Sequence, residues 1–136
     1  MAKLPTDRQI LRQIYRTYES SYPGAKSKDG RGGNDPYVAI DVEAIARHLE
    51  CNPELLFGRL YYHLDQKYRY KQDNGALVPL FYLQLGDKRH AIHYPYLAAI
   101  LAGLEHEHRR NAWALGVSLF ALMLSIASIV ITLAKD

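Results

Sequence analysis

The feature that most constrains this chain is an uncharged stretch near its C-terminal end, residues 112–134. Its 23 residues lie between Arg110 and Lys135 and include five Leu, three Ile, two Val and one Phe. At about 1.5 Å of rise per residue, a helix of this length spans roughly 34 Å, against a hydrocarbon core of about 30 Å. A helix of a soluble core would normally carry a polar face, and this one has none. The stretch therefore predicts a single transmembrane helix.

The residues that flank the span predict its orientation. Arg109 and Arg110 precede it, which places this side in the cytoplasm because positively charged loops are retained there. Only Lys135 and Asp136 follow it, and the N-terminal segment has no apolar run of the kind found in cleaved signals. We therefore expect a tail-anchored protein of the bacterial inner membrane with its N-terminal domain in the cytoplasm.

The remaining composition fits one domain in a reducing compartment. The chain has 17 basic and 14 acidic residues, a net charge of +3 that suits an anionic membrane surface or nucleic acid equally well. The single cysteine, Cys51, excludes an internal disulfide. Eleven tyrosines are the most unusual feature, and the sequence alone assigns no role to them.

The N-terminal third predicts a helix followed by a mobile loop. Thr6 and Gln9 have the spacing of a capping box, and a helical apolar stripe begins at Ile10. The loop, residues 23–36, contains four Gly and no large apolar side chain. Because it lacks the Gly-Lys-Ser/Thr order of a phosphate-binding loop, it predicts a connection and not a nucleotide site.

The middle of the chain alternates short strands with helices. Asp41 is placed to cap one helix, and Asn52 with Pro53 to begin the next, which extends to about Gln66. Asp73-Asn74-Gly75 is a strong turn signal. Pro79 either confines the strand after it to residues 80–85 or places that strand at the edge of a sheet. A returning strand follows at residues 90–94, and a last helix begins at Tyr96.

This order of elements resembles the winged helix-turn-helix fold over residues 6–104. The resemblance rests on Ile45-Ala46-Arg47-His48-Leu49, followed by Cys51-Asn52-Pro53 and then by Leu56 and Leu60. In that family an alanine packs where two helices cross, small or polar residues make the turn, and aliphatic residues one turn apart seat the second helix. Here those positions would be filled by Ala46, Leu49, Leu56 and Leu60, while Glu50 stands where the family usually has Gly.

The resemblance implies an α+β fold: a winged-helix-like cytosolic domain of helices plus a small β-hairpin, followed by one C-terminal transmembrane helix. We place the domain at residues 1–95, a juxtamembrane helix at 96–111 and the transmembrane helix at 112–134.

The second helix of the pair enters the DNA major groove in this family. In this chain it would present a poor set of side chains for reading bases, since Glu54 repels phosphate while Leu55 and Phe57 offer apolar surface. Exposed apolar residues more often mark contact with another protein. We therefore predict Leu55, Phe57 and Arg59 as partner-binding residues.

Two groups of cations favour a different ligand, the phosphate groups of DNA or of lipids. The segment from residue 67 to 71 alternates cations with tyrosines, and the tip of the predicted hairpin is also basic. Such residues contact backbone phosphates in DNA complexes, or anionic lipid head groups at a membrane. The residues predicted to do so are Lys67, Arg69, Lys71, Lys88 and Arg89.

Catalysis and metal binding find little support in the sequence. Glu105-His106-Glu107-His108 resembles a metal-binding cluster, but residues two apart on a helix point in different directions. Cys51 has no evident base partner. We therefore expect a protein that is not an enzyme and has neither a metal nor a cofactor.

The predicted membrane helix also carries a pattern of small residues. They recur at intervals of 4, 3, 4, 3 and 4, which keeps them near one line of the helix, although Ala112, Gly116, Ala127 and Ala134 lie on the opposite face. Small residues let helix backbones approach closely. The residues predicted to pack against another helix are Ala114, Ser118, Ala121, Ser125, Ser128 and Thr132.

Together these observations predict a tail-anchored membrane protein whose cytosolic module is a non-enzymatic protein-binding or regulatory device. Its partner would be a second copy or another membrane protein. The first alternative is a membrane-tethered DNA-binding transcriptional regulator, although nucleic acid is not the favoured ligand. The second is an effector that perturbs the membrane through oligomerisation of its span.

Overall fold

The computed structural model describes residues 4–22, 36–86 and 88–136, which form two compact units, Met1–Leu101 and Ala102–Asp136. The predicted loop 23–36 lies outside the described residues except for Pro36. The elements in chain order are α1 (Asp7–Tyr18), a 3₁₀ turn (Glu19–Ser21), β1 (Tyr37–Ala39), α2 (Val42–Leu49), α3 (Pro53–Gly58), a π-helical segment (Arg59–Leu64), α4 (Asp65–Tyr68), β2 (Tyr70–Lys71), β3 (Leu77–Val78), β4 (Phe81–Leu85), β5 (Lys88–His93) and α5 (Tyr94–Lys135).

The helix starts confirm the capping signals read from the sequence. Thr6 Oγ1 accepts a 3.2 Å hydrogen bond from the backbone N–H of Gln9, whose side chain accepts one of 2.8 Å in return. The Asp41 side chain accepts from the N–H of Ala44 at 3.1 Å and so caps α2. These bonds satisfy N–H groups that have no partner within the helix.

The turn between α2 and α3 depends on an unusual backbone conformation at Glu50, whose φ is +56°. This left-handed conformation lets the N–H of Cys51 reach the carbonyl of Ala46 at 3.0 Å and end α2. Asn52 then accepts from the N–H of Glu54 at 2.8 Å, with Pro53 as the first residue of α3.

A three-stranded antiparallel sheet has the order β1-β5-β4 and contains the predicted hairpin. Ile92 of β5 lies opposite Val38 on one side and opposite Phe81 on the other. The sequence missed a second small hairpin, β2–β3, which ends just before Pro79. The buried side chains of sheet and helices form one core: Ile10, Leu11, Ile14, Ile45, Ala46, Leu56, Leu60, Leu64, Leu80, Phe81, Ala91, Ile92 and Leu97.

Helix α5 has 42 residues and includes both the predicted juxtamembrane segment and the predicted span. It begins at Tyr94, two residues earlier than predicted, because His93 Nδ1 accepts from the N–H of Tyr96 at 3.2 Å and caps the first turn. Every residue from 106 to 136 is exposed. By length and composition this helix is able to cross a membrane.

Candidate interaction surfaces

Leu55 is an exposed large apolar side chain of α3, with 59% of its surface accessible. It borders a small apolar pocket of about 130 Å³ that lies between Leu4 and Pro5, which precede α1, and the α2–α3 turn. The other residues of this pocket are Leu4, Pro5, Ile10, Cys51, Leu56 and Arg59. The arrangement offers a shallow apolar contact surface at the position where the sequence predicts a partner.

Phe57 is only partly available, because aromatic side chains of neighbouring elements cover it. Its ring centroid lies 5.7 Å from that of Tyr61, 5.9 Å from Phe81 and 5.3 Å from His90. The last two residues belong to the β4–β5 hairpin, which packs against α3. The expected exposure of Phe57 is therefore wrong in part, since the hairpin uses this ring as packing surface.

Arg59 has partners within the domain. Its guanidinium donates to the carboxylate of Asp7 in the first turn of α1, and to the carbonyl of Pro5 at 3.0 Å. His63 Nε2 lies 3.3 Å from the other carboxylate oxygen of Asp7. Burial raises the pKa of Asp7, but the hydrogen bond and charge of Arg59, with a contribution from His63, outweigh it and hold that pKa below its ordinary value. Arg59 therefore joins α3 and its π-helical extension to α1.

The predicted cations differ in what they contact. Lys67 Nζ lies 5.3 Å from the ring centroid of Tyr68, and Arg69 forms a 2.5 Å ion pair with Asp65. Lys71 is exposed on β2. Arg89 is exposed on β5, while Lys88 begins that strand and its side chain lies outside the described part of the chain.

Arg89 borders a polar pocket of about 370 Å³ whose other charged residues are acidic. Asp41 and Glu43, at the start of α2, lie in its wall together with Ile40, Val42 and His90. Burial and the charge of Arg89 both lower the pKa of His90. This region of the hairpin therefore mixes both signs of charge, which suits a phosphate backbone poorly.

Sequence reasoning missed Asp65, the most buried charged residue of the described chain, with 1% of its surface exposed. One carboxylate oxygen accepts from the N–H groups of Leu80 and Phe81, at 2.9 and 3.2 Å, and the other from Arg69. A signal was present, because Asp65 interrupts the apolar line that Phe57, Tyr61 and Tyr68 make along the helix. Its role is structural.

The tyrosines, which had no assigned role, join elements distant in sequence. The hydroxyl of Tyr94 donates to the carbonyl of Tyr15 at 2.8 Å, and that of Tyr96 to the carbonyl of Tyr68 at 2.5 Å. The hydroxyl of Tyr18 accepts from the N–H of Asp41 at 2.6 Å. Burial, with smaller contributions from Tyr15 and Glu19, raises the pKa of Tyr94 to about 12. Several tyrosines therefore hold distant elements together through hydrogen bonds of their hydroxyl groups.

The six small residues of α5 that are predicted to pack against another helix are all exposed: Ala114, Ser118, Ala121, Ser125, Ser128 and Thr132. The hydroxyl of Ser125 donates to the carbonyl of Ala121 at 3.0 Å, and that of Thr132 to the carbonyl of Ser128 at 2.9 Å. Because both hydroxyl protons are donated within the helix, a neighbouring helix would find only acceptor oxygens at these two positions. The small side chains would also let its backbone approach closely.

Within residues 4–22, 36–86 and 88–136, no group of three or more His, Cys, Asp or Glu side chains has the arrangement of a metal site. Burial raises the pKa of the Cys51 thiol, although Arg59 opposes this, so the reactive thiolate is disfavoured. No protein family, curated protein or solved structure matches this chain.

Proposed function

We propose that this chain is a membrane-anchored, non-enzymatic binding protein. Helix α5 would hold it in the bilayer, and its N-terminal domain, on the cytoplasmic side, would contact another protein. The length and apolar composition of α5 support the anchor. Arg109 and Arg110 support the orientation, since they immediately precede the uncharged stretch.

The order of elements supports a winged-helix-like domain. A helix and a strand precede the α2–α3 pair, an antiparallel hairpin follows it, and β1 pairs with β5, the second strand of that hairpin. In such domains the second helix of the pair is the usual contact surface. For this chain that helix is α3.

The observation that carries the proposal is the state of the polar residues on α3. Arg59 is bonded to Asp7 and Pro5, and the side-chain oxygen of Asn52 caps the helix. The two residues best suited to read base edges are therefore committed within the domain, while Leu55 stays exposed beside an apolar pocket. This division favours a protein partner over DNA.

A membrane-tethered DNA-binding regulator is the second candidate, favoured by the exposed cations Lys71 and Arg89. Duplex DNA distinguishes the two. We expect the protein in micelles to bind random duplex no better than about 10⁻⁶–10⁻⁴ M at physiological salt, with the steep salt dependence of phosphate contacts. Nanomolar, sequence-dependent binding that Arg89→Gln abolishes would replace the protein-binding proposal.

Site-specific photo-crosslinking in membranes tests the protein-binding surface. A photoreactive residue at position 55 should give a discrete crosslinked product, and the same residue at the exposed position Gln66 should not. In parallel, the protein should stay with membranes during high-salt and carbonate washes. Protein recovered without detergent in the soluble fraction would contradict the anchor, and equal crosslinking from both positions would contradict the surface.

A further inference from the structure

Four side chains of α5 lie on one face of the helix at the start of the uncharged stretch. At about 100° per residue, His106, Arg109, Arg110 and Trp113 fall within roughly 100° of the helix circumference. All four are exposed, and 76% of the surface of Trp113 is accessible. Glu105 and Glu107 lie about 100° to either side of His106, so this basic and aromatic face is bordered by negative charge.

The depth of these residues matches the layers of a bilayer. Trp113 is the second residue of the uncharged stretch, and indole rings collect at the level where hydrocarbon meets head groups. At about 1.5 Å per residue, Arg110 and Arg109 lie roughly 5–6 Å further out along the axis. The head-group layer is about 5–7 Å thick on each side, so both guanidinium groups reach the phosphates.

The chemistry of the face fits a lipid phosphodiester. Guanidinium groups bind phosphate oxygens through paired N–H donors, and an imidazole adds one further donor. The indole N–H of Trp113 adds a donor for the acyl carbonyls, which accept hydrogen bonds at the ester level where indole rings collect. A zwitterionic lipid would bring its own cation to the two arginines, whereas an anionic lipid brings only negative charge.

We propose that His106, Arg109, Arg110 and Trp113 form a binding site for an anionic phospholipid head group. The inference rests on the membrane anchoring proposed above, and it assigns a lipid ligand to residues that anchoring alone does not require. The two glutamates restrict this ligand to one side of the helix, where it would fix the rotation of α5 about its axis in the membrane.

Trp113 provides the measurement because it is the single tryptophan of the chain. The full-length protein is reconstituted in phosphatidylcholine vesicles that contain, at equal small mole fraction, either phosphatidylglycerol or phosphatidylcholine brominated near the ester end. Bromine quenches tryptophan on contact. We expect phosphatidylglycerol to be enriched at Trp113 by roughly 25- to 30-fold, since each of the two arginines contributes about a factor of five.

Two charge-matched variants decide where the selectivity resides. Arg109→Gln/Arg110→Gln should abolish the enrichment while phosphatidylcholine still quenches, and Arg16→Gln/Arg47→Gln, at exposed positions of the domain, should preserve it. Should the first variant fail to insert, the single variants take its place, each expected to lower enrichment about five-fold.

The other outcomes overturn the inference in distinguishable ways. Equal quenching by both lipids in the unmodified protein would mean an inserted helix without a lipid site. Equal loss in both double variants would mean only general attraction to a charged surface. Quenching by neither lipid would place Trp113 outside the bilayer and would overturn the anchoring as well.

Discussion

Asp65 accepts a 2.9 Å hydrogen bond from the backbone N–H of Leu80, which joins the end of the α3–α4 helical segment to the strand that begins the β4–β5 hairpin. The same oxygen accepts from Phe81, and the second carboxylate oxygen pairs with Arg69. Because Asp65 is almost fully buried, water cannot replace these bonds. The position of the hairpin against α3 therefore depends on one carboxylate.

Asp65→Ala should lower the free energy of unfolding by about 2–4 kcal/mol, because it leaves two buried N–H groups without an acceptor and removes the partner of Arg69. Asp65→Asn should cost less, since its amide oxygen can still accept both bonds. Asp73→Ala, in an exposed turn, is the control and should stay within about 0.5 kcal/mol of the parent.

Unfolding can be followed in detergent, in a Trp113→Phe background, by the near-ultraviolet circular dichroism of the tyrosines, all of which precede residue 97. The signal therefore reports on the domain and not on the apolar stretch. A loss at Asp65→Ala no larger than at Asp73→Ala would show that the hairpin is held by other contacts.

The sequence predicted what depends on local chemistry. The caps at Thr6, Asp41 and Asn52 and the turn near Gly86 were identified because each acts within a few residues of itself. The long apolar helix at the C-terminal end could be predicted because its signal is repeated over many residues. Tertiary partners escaped, because Asp65 meets residues 15 and 16 positions away and Arg59 meets one 52 positions away. No periodicity encodes such pairs, so the sequence does not predict the ion pair of Arg59 with Asp7, and the contact of Arg59 with a partner stays a prediction.

Glu50→Gly should stabilise the domain. A residue with a side chain pays about 1 kcal/mol or more for the left-handed conformation at φ +56°, whereas glycine adopts it freely. Part of this gain is offset by the larger entropy of glycine in the unfolded chain, so we expect an increase of about 0.5–1 kcal/mol. Glu43→Gly, within α2, should instead destabilise by about 1 kcal/mol. The same sign for both substitutions would contradict this explanation of the turn.

The Asp7–Arg59 pair should make stability depend on acid pH. The folded-state pKa of Asp7 lies below its unfolded value of about 3.9, so the pair stabilises the fold above that pH, and its contribution is lost as pH falls through the folded-state pKa. Solvent reaches Arg59, which is about a third exposed, so we expect Asp7→Asn to cost only about 1 kcal/mol at neutral pH.

Denaturation of the parent and of Asp7→Asn at neutral pH, and at the most acidic pH where both remain folded, measures this dependence. The difference between the two proteins should shrink in acid, and a second substitution, Arg59→Gln, should add little to Asp7→Asn. Asp73→Asn should show no such convergence. A constant difference at every pH would mean that the negative charge of Asp7 does not stabilise the fold.

The last prediction concerns the line of small residues on α5. If Ala121, Ser125 and Ser128 face another helix, a larger side chain in the middle should separate the pair. Ser125→Ile is the sharpest substitution because it lies near mid-span and keeps the helix apolar. Its hydroxyl proton is used by Ala121, so the loss comes from close packing more than from a bond across the interface, and association should weaken by about 1–2 kcal/mol, or five- to thirty-fold.

Leu122→Ile, on the bulky flank, is the control. A reporter of helix association in a bacterial membrane compares both with the parent span. Equal signals from all three, or none above a monomeric standard, would show that the small residues reflect composition and that α5 is a simple anchor.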